Sequence, residues 1–155
     1  VKPPALIAID LDGTLIGASL SIDECNRTAI ERAVAAGSTI VLASGRMFAA
    51  ARPFAAELRL PGPTIVLNGA AIYDAASAAR LYAVPMQPAI ALQAYDELKR
   101  AGFHLQLYFG DSLYLDELDE RARQYLALSR VEPVMVPDLR PLLDGAPPGD
   151  IGPMK

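Results

Sequence analysis

The sequence contains a single cysteine, Cys25, and a single histidine, His104. One thiol excludes an intrachain disulfide and any cysteine cluster for zinc, and it is compatible with a reducing compartment. A lone histidine makes no metal site by itself. Long hydrophobic runs are missing too. The first apolar stretch, Ala5 to Ile9, is too short for the core of a signal peptide or for a membrane span. Basic residues are outnumbered, and a net charge of −4 argues against a nucleic-acid-binding surface. These absences leave a soluble cytoplasmic protein, with neither nucleic acid nor membrane as partner, as the expectation. A hydrophobic content of 52% is enough for a real core, and 155 residues make one ordinary domain or two small ones. The chain begins at Val1 and stops at Lys155 just after Ile-Gly-Pro-Met, so it reads as a piece of something longer.

The most informative stretch present is Ala5-Leu-Ile-Ala-Ile-Asp10-Leu-Asp12-Gly13-Thr14-Leu15. Its apolar run predicts a buried strand, and Gly13 supplies a sharp exit from it. Side chains two apart on a strand point the same way. Asp10 and Asp12 should therefore face one crevice past the strand's carboxyl end, where open α/β sheets place their ligands. Two carboxylates there hold a cation, do acid/base work, or both.

After a loop to Leu20, Ser21-Ile22-Asp23-Glu24 has the spacing of a capping box. Ile22, Cys25, Ala29, Ile30, Ala33 and Val34 recur at helical spacing up to Gly37, which predicts a helix with Cys25 buried on its apolar stripe. Ser38 to Ala43 predicts a second buried strand, ended by Ser44-Gly45-Arg46. A helix from about Met47 to Leu58 follows, with Pro53 breaking or kinking it. Thr64 to Leu67 predicts a third strand, ended by Asn68-Gly69-Ala70. This alternation predicts parallel strands with right-handed crossovers, each ending in a polar, glycine-bearing turn at one edge. Ala71–Asp74 and Arg80–Val84 read as two short strands.

Pro85 and Pro88 then mark a boundary. Beyond it, Ile90, Leu92, Tyr95 and Leu98 suggest a helix ending near Gly102. His104 to Phe109 alternates, with Leu105, Leu107 and Phe109 on one face and His104, Gln106 and Tyr108 on the other; Ser112 to Leu115 returns. The polar face reads either as a solvated sheet face or as one that looks onto an active site. Glu117 to Ser129 predicts a charged helix with Leu118, Ala122, Tyr125 and Leu126 inward. Pro133 to Pro153 reads mostly as coil, though Pro153-Met154-Lys155 could begin a strand. Arg121, Arg123, Arg130 and Arg140 share no evident face and read as surface charge.

The string Asp10-Leu-Asp12-Gly13-Thr14-Leu15, followed by Ser44-Gly45-Arg46 and Asn68-Gly69-Ala70, closely resembles the haloacid dehalogenase-like (HAD) phosphotransferases, and within them the Cof-type branch, which carries a cap after the third strand. The resemblance implies an α/β fold, a partial Rossmann-like parallel core over residues 1–84 with part of an α/β cap over residues 85–155. It also implies a Mg²⁺-dependent phosphomonoester hydrolase acting on small phosphorylated metabolites such as sugar phosphates. Asp10 would be the nucleophile, forming an aspartyl phosphate, and Asp12 the general acid/base. Asp10's carboxylate and Asp12's backbone carbonyl would be metal ligands. Gly13, Thr14, Ser44, Gly45, Arg46, Asn68 and Gly69 are the candidates for phosphate or substrate binding. At single positions other readings stay open. Ser44 and Asn68-Gly69 are also plain turn residues, and Arg46 also reads as a solvated residue at a helix start.

Members of that family carry two further features downstream: a lysine that steadies the phosphoryl charge and a Gly-Asp-x-x-x-Asp segment that completes the Mg²⁺ site. Neither is found here. The lysines are Lys2, Lys99 and Lys155, none in a suitable context, and Gly149-Asp150 follows two prolines and has no second acid. The expectation is therefore a phosphatase whose 155-residue portion is by itself nearly inactive, since preorganised charge at a reacting phosphate is worth several kcal/mol. A phosphomutase-like transferase and a non-catalytic phospho-ligand-binding fragment are the alternatives. In the family's strand order the first strand is central, so here it would form an exposed apolar edge prone to self-association.

Overall fold

The computed structural model of the chain describes residues 3–144. It divides between Ala83 and Val84 into two compact units. Lys2, Lys155, Gly149-Asp150 and the strand considered at Pro153 lie outside the described residues. No helix among the described residues is long and apolar enough to cross a membrane.

The first unit is a five-stranded sheet in the order β1-β2-β3-β4-β5. The strands are β1 (Leu6–Asp10), β2 (Thr39–Ala43), β3 (Pro63–Val66), β4 (Ala71–Asp74) and β5 (Arg80–Ala83), with helices α1 (Glu24–Ala35) and α2 (Phe48–Glu57) in the first two crossovers. β1, β2 and β3 run parallel, as the strand–helix–strand alternation requires, and β4 and β5 continue antiparallel. The register sets Asp10 beside Ala43 and Ala43 beside Ile65, so the three parallel strands end level with one another. The core is formed by Ile40, Val41 and Leu42 of β2, Val66 of β3, and Phe48, Ala51, Phe54 and Ala55 of α2. Phe48 stacks on Tyr73 with ring centroids 4.4 Å apart.

Several local expectations are corrected. β1 is not buried as its apolar run alone suggests, but lies at the edge of the described sheet, as the expectation from the family's strand order had it: Leu6, Ala8 and Asp10 are exposed and Ile7 and Ile9 half-buried, and among the described strands it pairs with β2. The capping box does not form. Helix α1 begins at Glu24 with Asp23 before it, which leaves Ser21 outside and donating to Ser19 Oγ. Cys25 is exposed. The inward stripe of α1 is Asn26, Ile30 and Ala33, and at 3.6 residues per turn Cys25 falls about a quarter-turn off it. Pro53 neither ends nor interrupts α2; its ring faces solvent while Phe48, Ala51, Phe54 and Ala55 anchor the helix on either side.

The second unit contains α3 (Pro88–Arg100), β6 (Leu107–Phe109), β7 (Ser112–Leu115), α4 (Glu120–Ser129), β8 (Val134–Met135) and α5 (Arg140–Asp144). β7 pairs antiparallel with β6 and parallel with β8. Ala91 and Tyr95 of α3 pack with Leu105, Leu107, Leu139 and Leu143. The segment from Pro133 is thus not simply coil. Pro133 and Pro137 flank β8, and Pro141 sits in the first turn of α5, where a missing amide proton costs nothing. Leu118 precedes α4 and is exposed, because the helix starts at Glu120, capped by the Asp119 carboxylate, which accepts the Ala122 amide at 2.7 Å. The polar face of residues 104–108 is neither solvated nor open. Gln106 and Tyr108 are buried, with Tyr108 Oη donating to Tyr125 Oη of α4 at 2.9 Å, and His104 Nδ1 lies 3.2 Å from Asp119.

Candidate active site

The site is assembled from three turns that leave the carboxyl ends of β1, β2 and β3. After β1 the chain folds back tightly. The amides of Leu15 and Ile16 donate to Leu11 O at 3.0 and 2.9 Å, and the Gly13 amide donates to Ile16 O at 2.9 Å. Gly13 adopts φ +79°, a left-handed conformation that L side chains rarely take, and its open surroundings make the requirement purely one of backbone shape. Leu11, Leu15 and Ile16 are driven inward by their apolar side chains, which turns Asp10 and Asp12 on either side of Leu11 toward solvent. The two-residue spacing therefore delivers both carboxylates to the exposed side. Asp10 Oδ2 accepts Thr14 Oγ1 at 3.4 Å.

The second turn carries Ser44, Gly45 and Arg46. Ser44 and Arg46 are buried. The Arg46 amide donates to Ser44 Oγ at 3.2 Å, which leaves the serine its own proton to donate. Arg46 reaches back to the first turn: Nε donates to Asp12 Oδ2 at 2.8 Å and Nη2 to Asp12 Oδ1 at 2.6 Å. The guanidinium carbon lies 5.5 Å from the centre of the Phe54 ring. Arg46 is therefore not a solvated helix-start residue. The third turn is tied to the second through backbone, with Leu67 N donating to Arg46 O at 2.9 Å and Asn68 N to Ser44 O at 3.2 Å. Asn68 and Gly69 both have positive φ and are exposed. Hydrogen bonds thus join Asp12, Ser44, Arg46 and Asn68, with Asp10 and Thr14 paired beside them. The Asp12–Arg46 pair and the Phe54 ring beneath it had no signal in the sequence beyond an arginine next to an apolar helix.

A model of the haloacid dehalogenase-like hydrolases matches residues 7–136. The chain belongs to this family. Pyridoxal phosphate phosphatase YbhA of Escherichia coli is 34% identical over 108 residues, covering 70% of this chain and 40% of that protein. The 5-amino-6-(5-phospho-D-ribitylamino)uracil phosphatase YcsE of Bacillus subtilis is 41% identical over 69 residues, covering 44% of this chain and 28% of that protein. Among solved structures, a HAD subclass IIB sugar phosphatase superposes with a TM-score of 0.82 at 17% identity, over 97% of this chain and 57% of that one, a likeness of fold. The HAD-family chain therefore covers less than two thirds of each of these relatives.

No group of three or more His, Cys, Asp or Glu side chains converges on a metal position among the described residues of this HAD-family chain. The Asp10 carboxylate and the Asp12 backbone carbonyl are hard oxygen donors at an exposed turn. Such a donor set suits Mg²⁺, which keeps several waters and takes one or two protein carboxylates.

Proposed function

We propose that the protein hydrolyses small phosphomonoesters through an aspartyl phosphate formed on Asp10. The observation that carries this reading is an exposed Asp10 carboxylate at the end of β1, level with the turns that hold Ser44 and Asn68. In the first step an Asp10 oxygen attacks phosphorus. The bond from phosphorus to the ester oxygen breaks, and the Asp12 carboxyl gives its proton to that oxygen as the alcohol leaves. In the second step Asp12, now a carboxylate, takes a proton from the water that attacks the aspartyl phosphate, releasing inorganic phosphate and Asp10. The hydroxyls of Thr14 and Ser44 and the turns at Gly13, Gly45 and Asn68-Gly69 are the phosphate-facing groups. Asp10 and the Asp12 carbonyl would hold Mg²⁺, which when bound supplies positive charge to the phosphoryl oxygens.

Residues 1–84 serve in this reading as the first half of a catalytic core, residues 85–155 as part of a cap, and the setting is cytoplasmic. The substrate class follows the relatives, whose names give pyridoxal phosphate and a phosphoribitylamino-uracil, both small phosphomonoesters. The test is release of inorganic phosphate from pyridoxal 5′-phosphate and a panel of sugar phosphates by the full-length protein with Mg²⁺. Asp10→Asn should fall below about 1% of the parent rate; retention above that level contradicts the reading.

A second proposal concerns the β1 edge, where Leu6 is 58% exposed. Unpaired apolar edges associate, so the isolated 155-residue chain should self-associate through β1. A stable monomer in sedimentation at tens of micromolar (roughly, the range where exposed edges pair) would contradict it.

A further inference from the structure

We infer that the cavity at the amino ends of β2 and β3 is a second ligand site, one that takes a small zwitterion with an apolar body, the chemistry of a free apolar amino acid. The cavity has a volume of about 510 Å³, inside the range of about 300–1,000 Å³ usual for small-molecule sites. All its walls come from residues 30–62, at the opposite end of the strands from Ser44 and Asn68. The apolar lining is Ile30 and Val34 of α1, Ile40 of β2, and Leu58 and Leu60 after α2. Burying an aliphatic body against these side chains removes apolar surface from water on both partners.

Two charged side chains line the same space, Glu31 and Arg59. Both are exposed, and neither forms an ion pair or a side-chain hydrogen bond, with the other or with any described residue. Ser38 Oγ, also in the lining, already donates to Pro4 O at 2.7 Å. An ammonium group suits Glu31, and the carboxyl ends of α1 and α2 at this end of the sheet add partial negative charge in its favour. A carboxylate suits Arg59, whose planar fork donates to both oxygens. A simple amine would leave Arg59 without a partner, and a simple acid would leave Glu31 without one, so a molecule carrying both charges fits best.

The backbone of Arg59 is the second observation. Helix α2 closes with the Arg59 amide donating to Ala56 O at 3.0 Å and the Leu60 amide to Ala55 O at 2.9 Å. That closure needs a left-handed residue at position 59, where glycine is the usual choice. Helix α1 ends in the same way beside it and does use glycine, Gly37 at φ +93°. Arg59 takes φ +55° instead, a conformation that costs an L residue backbone energy. A side chain kept at such a position, unpaired and lining a cavity, has its role in what it meets there.

The experiment titrates L-leucine into the full-length protein and follows backbone amides by NMR. The controls are 4-methylpentanoate, which lacks the ammonium group, and 3-methylbutylamine, which lacks the carboxylate. Leucine should bind saturably with a dissociation constant below about 10 mM and shift the amides of residues 30–40 and 58–62. Each control should bind about tenfold or more weakly, the cost of one lost charged partner. Arg59→Gly is the decisive variant, because it removes the side chain and relieves the backbone together. It should unfold at no lower denaturant than the parent and lose leucine affinity about tenfold or more, and Glu31→Gln should lose a similar factor. Leucine affinity unchanged in either variant would overturn the inference, as would a control that binds as tightly as leucine or the absence of saturable binding. An Arg59→Gly protein less stable than the parent would assign that side chain to the fold and overturn it too.

Discussion

Tyr108→Phe removes one hydroxyl from the covered polar face of the second unit, and the structure allows the cost to be worked out. Tyr108 is 1% exposed. Its hydroxyl accepts Gln106 Nε2 at 2.5 Å and donates to Tyr125 Oη at 2.9 Å. Burial first, and the neighbouring Tyr125 second, push the Tyr108 phenol far above its usual ionisation, so the donated proton stays in place at any ordinary pH. The change deletes two hydrogen bonds and strands the Gln106 amide in a buried position where Gln106 Oε1 has no partner among the described residues. Each of the two bonds contributes about 0.5–1.5 kcal/mol net and a newly orphaned buried donor costs about 1–3 kcal/mol, which together give a loss of about 2–6 kcal/mol. Gln106→Met in the same background should recover part of that loss, because it removes the stranded group. Denaturant unfolding at constant m-value measures both. A Tyr108→Phe midpoint corresponding to less than about 0.5 kcal/mol would refute the description of this face as a buried hydrogen-bonded seam.

Acid should weaken the second unit through Asp119. The hydrogen bond from the Ala122 amide, and then the nearby His104 and Arg121, hold its carboxyl below the ordinary 3.8. A depressed folded-state pKa contributes stability that is complete above the unfolded value and lost as pH falls through the folded one. The unfolding midpoint should therefore drop as pH falls below about 4, and Asp119→Asn should flatten that part of the profile; an unchanged slope would contradict the capping role. Cys25, being exposed, should react with a thiol reagent in the native protein at the rate of an unhindered thiol, whereas reaction only after denaturant would restore the buried reading.

The turns after β1, β2 and β3 were legible in the sequence because each is a local event: an apolar run of strand length, then a polar residue and a glycine. The two-residue spacing of Asp10 and Asp12 also carried its geometric meaning, since Leu11 between them goes inward. Arg46 was named as a candidate, but its partner Asp12 lies 34 positions away, and no local pattern reports a contact of that range. Periodicity correctly sorted residues 104–109 into two faces. It could not say what covers each, and α4 covers the polar one through Tyr125 while α3 and α5 flank the leucines. For β1 the apolar composition alone suggests burial, while the strand order implied by the resemblance puts it at the edge, where the described sheet has it. Helix α1 shows a finer failure. Its apolar positions drift around the helix, and only the stripe through Ile30 meets the sheet.

The central claim, that Asp10 receives the phosphoryl group, is tested most directly by trapping the intermediate. Full-length protein turning over a labelled small phosphomonoester with Mg²⁺ would be quenched in acid and digested, and its label mapped by mass. The account predicts one phosphoryl group on the peptide that contains Asp10, lost in Asp10→Asn and unaffected in a variant such as Cys25→Ser. A label that persists in Asp10→Asn, or that maps to any other side chain, would contradict it.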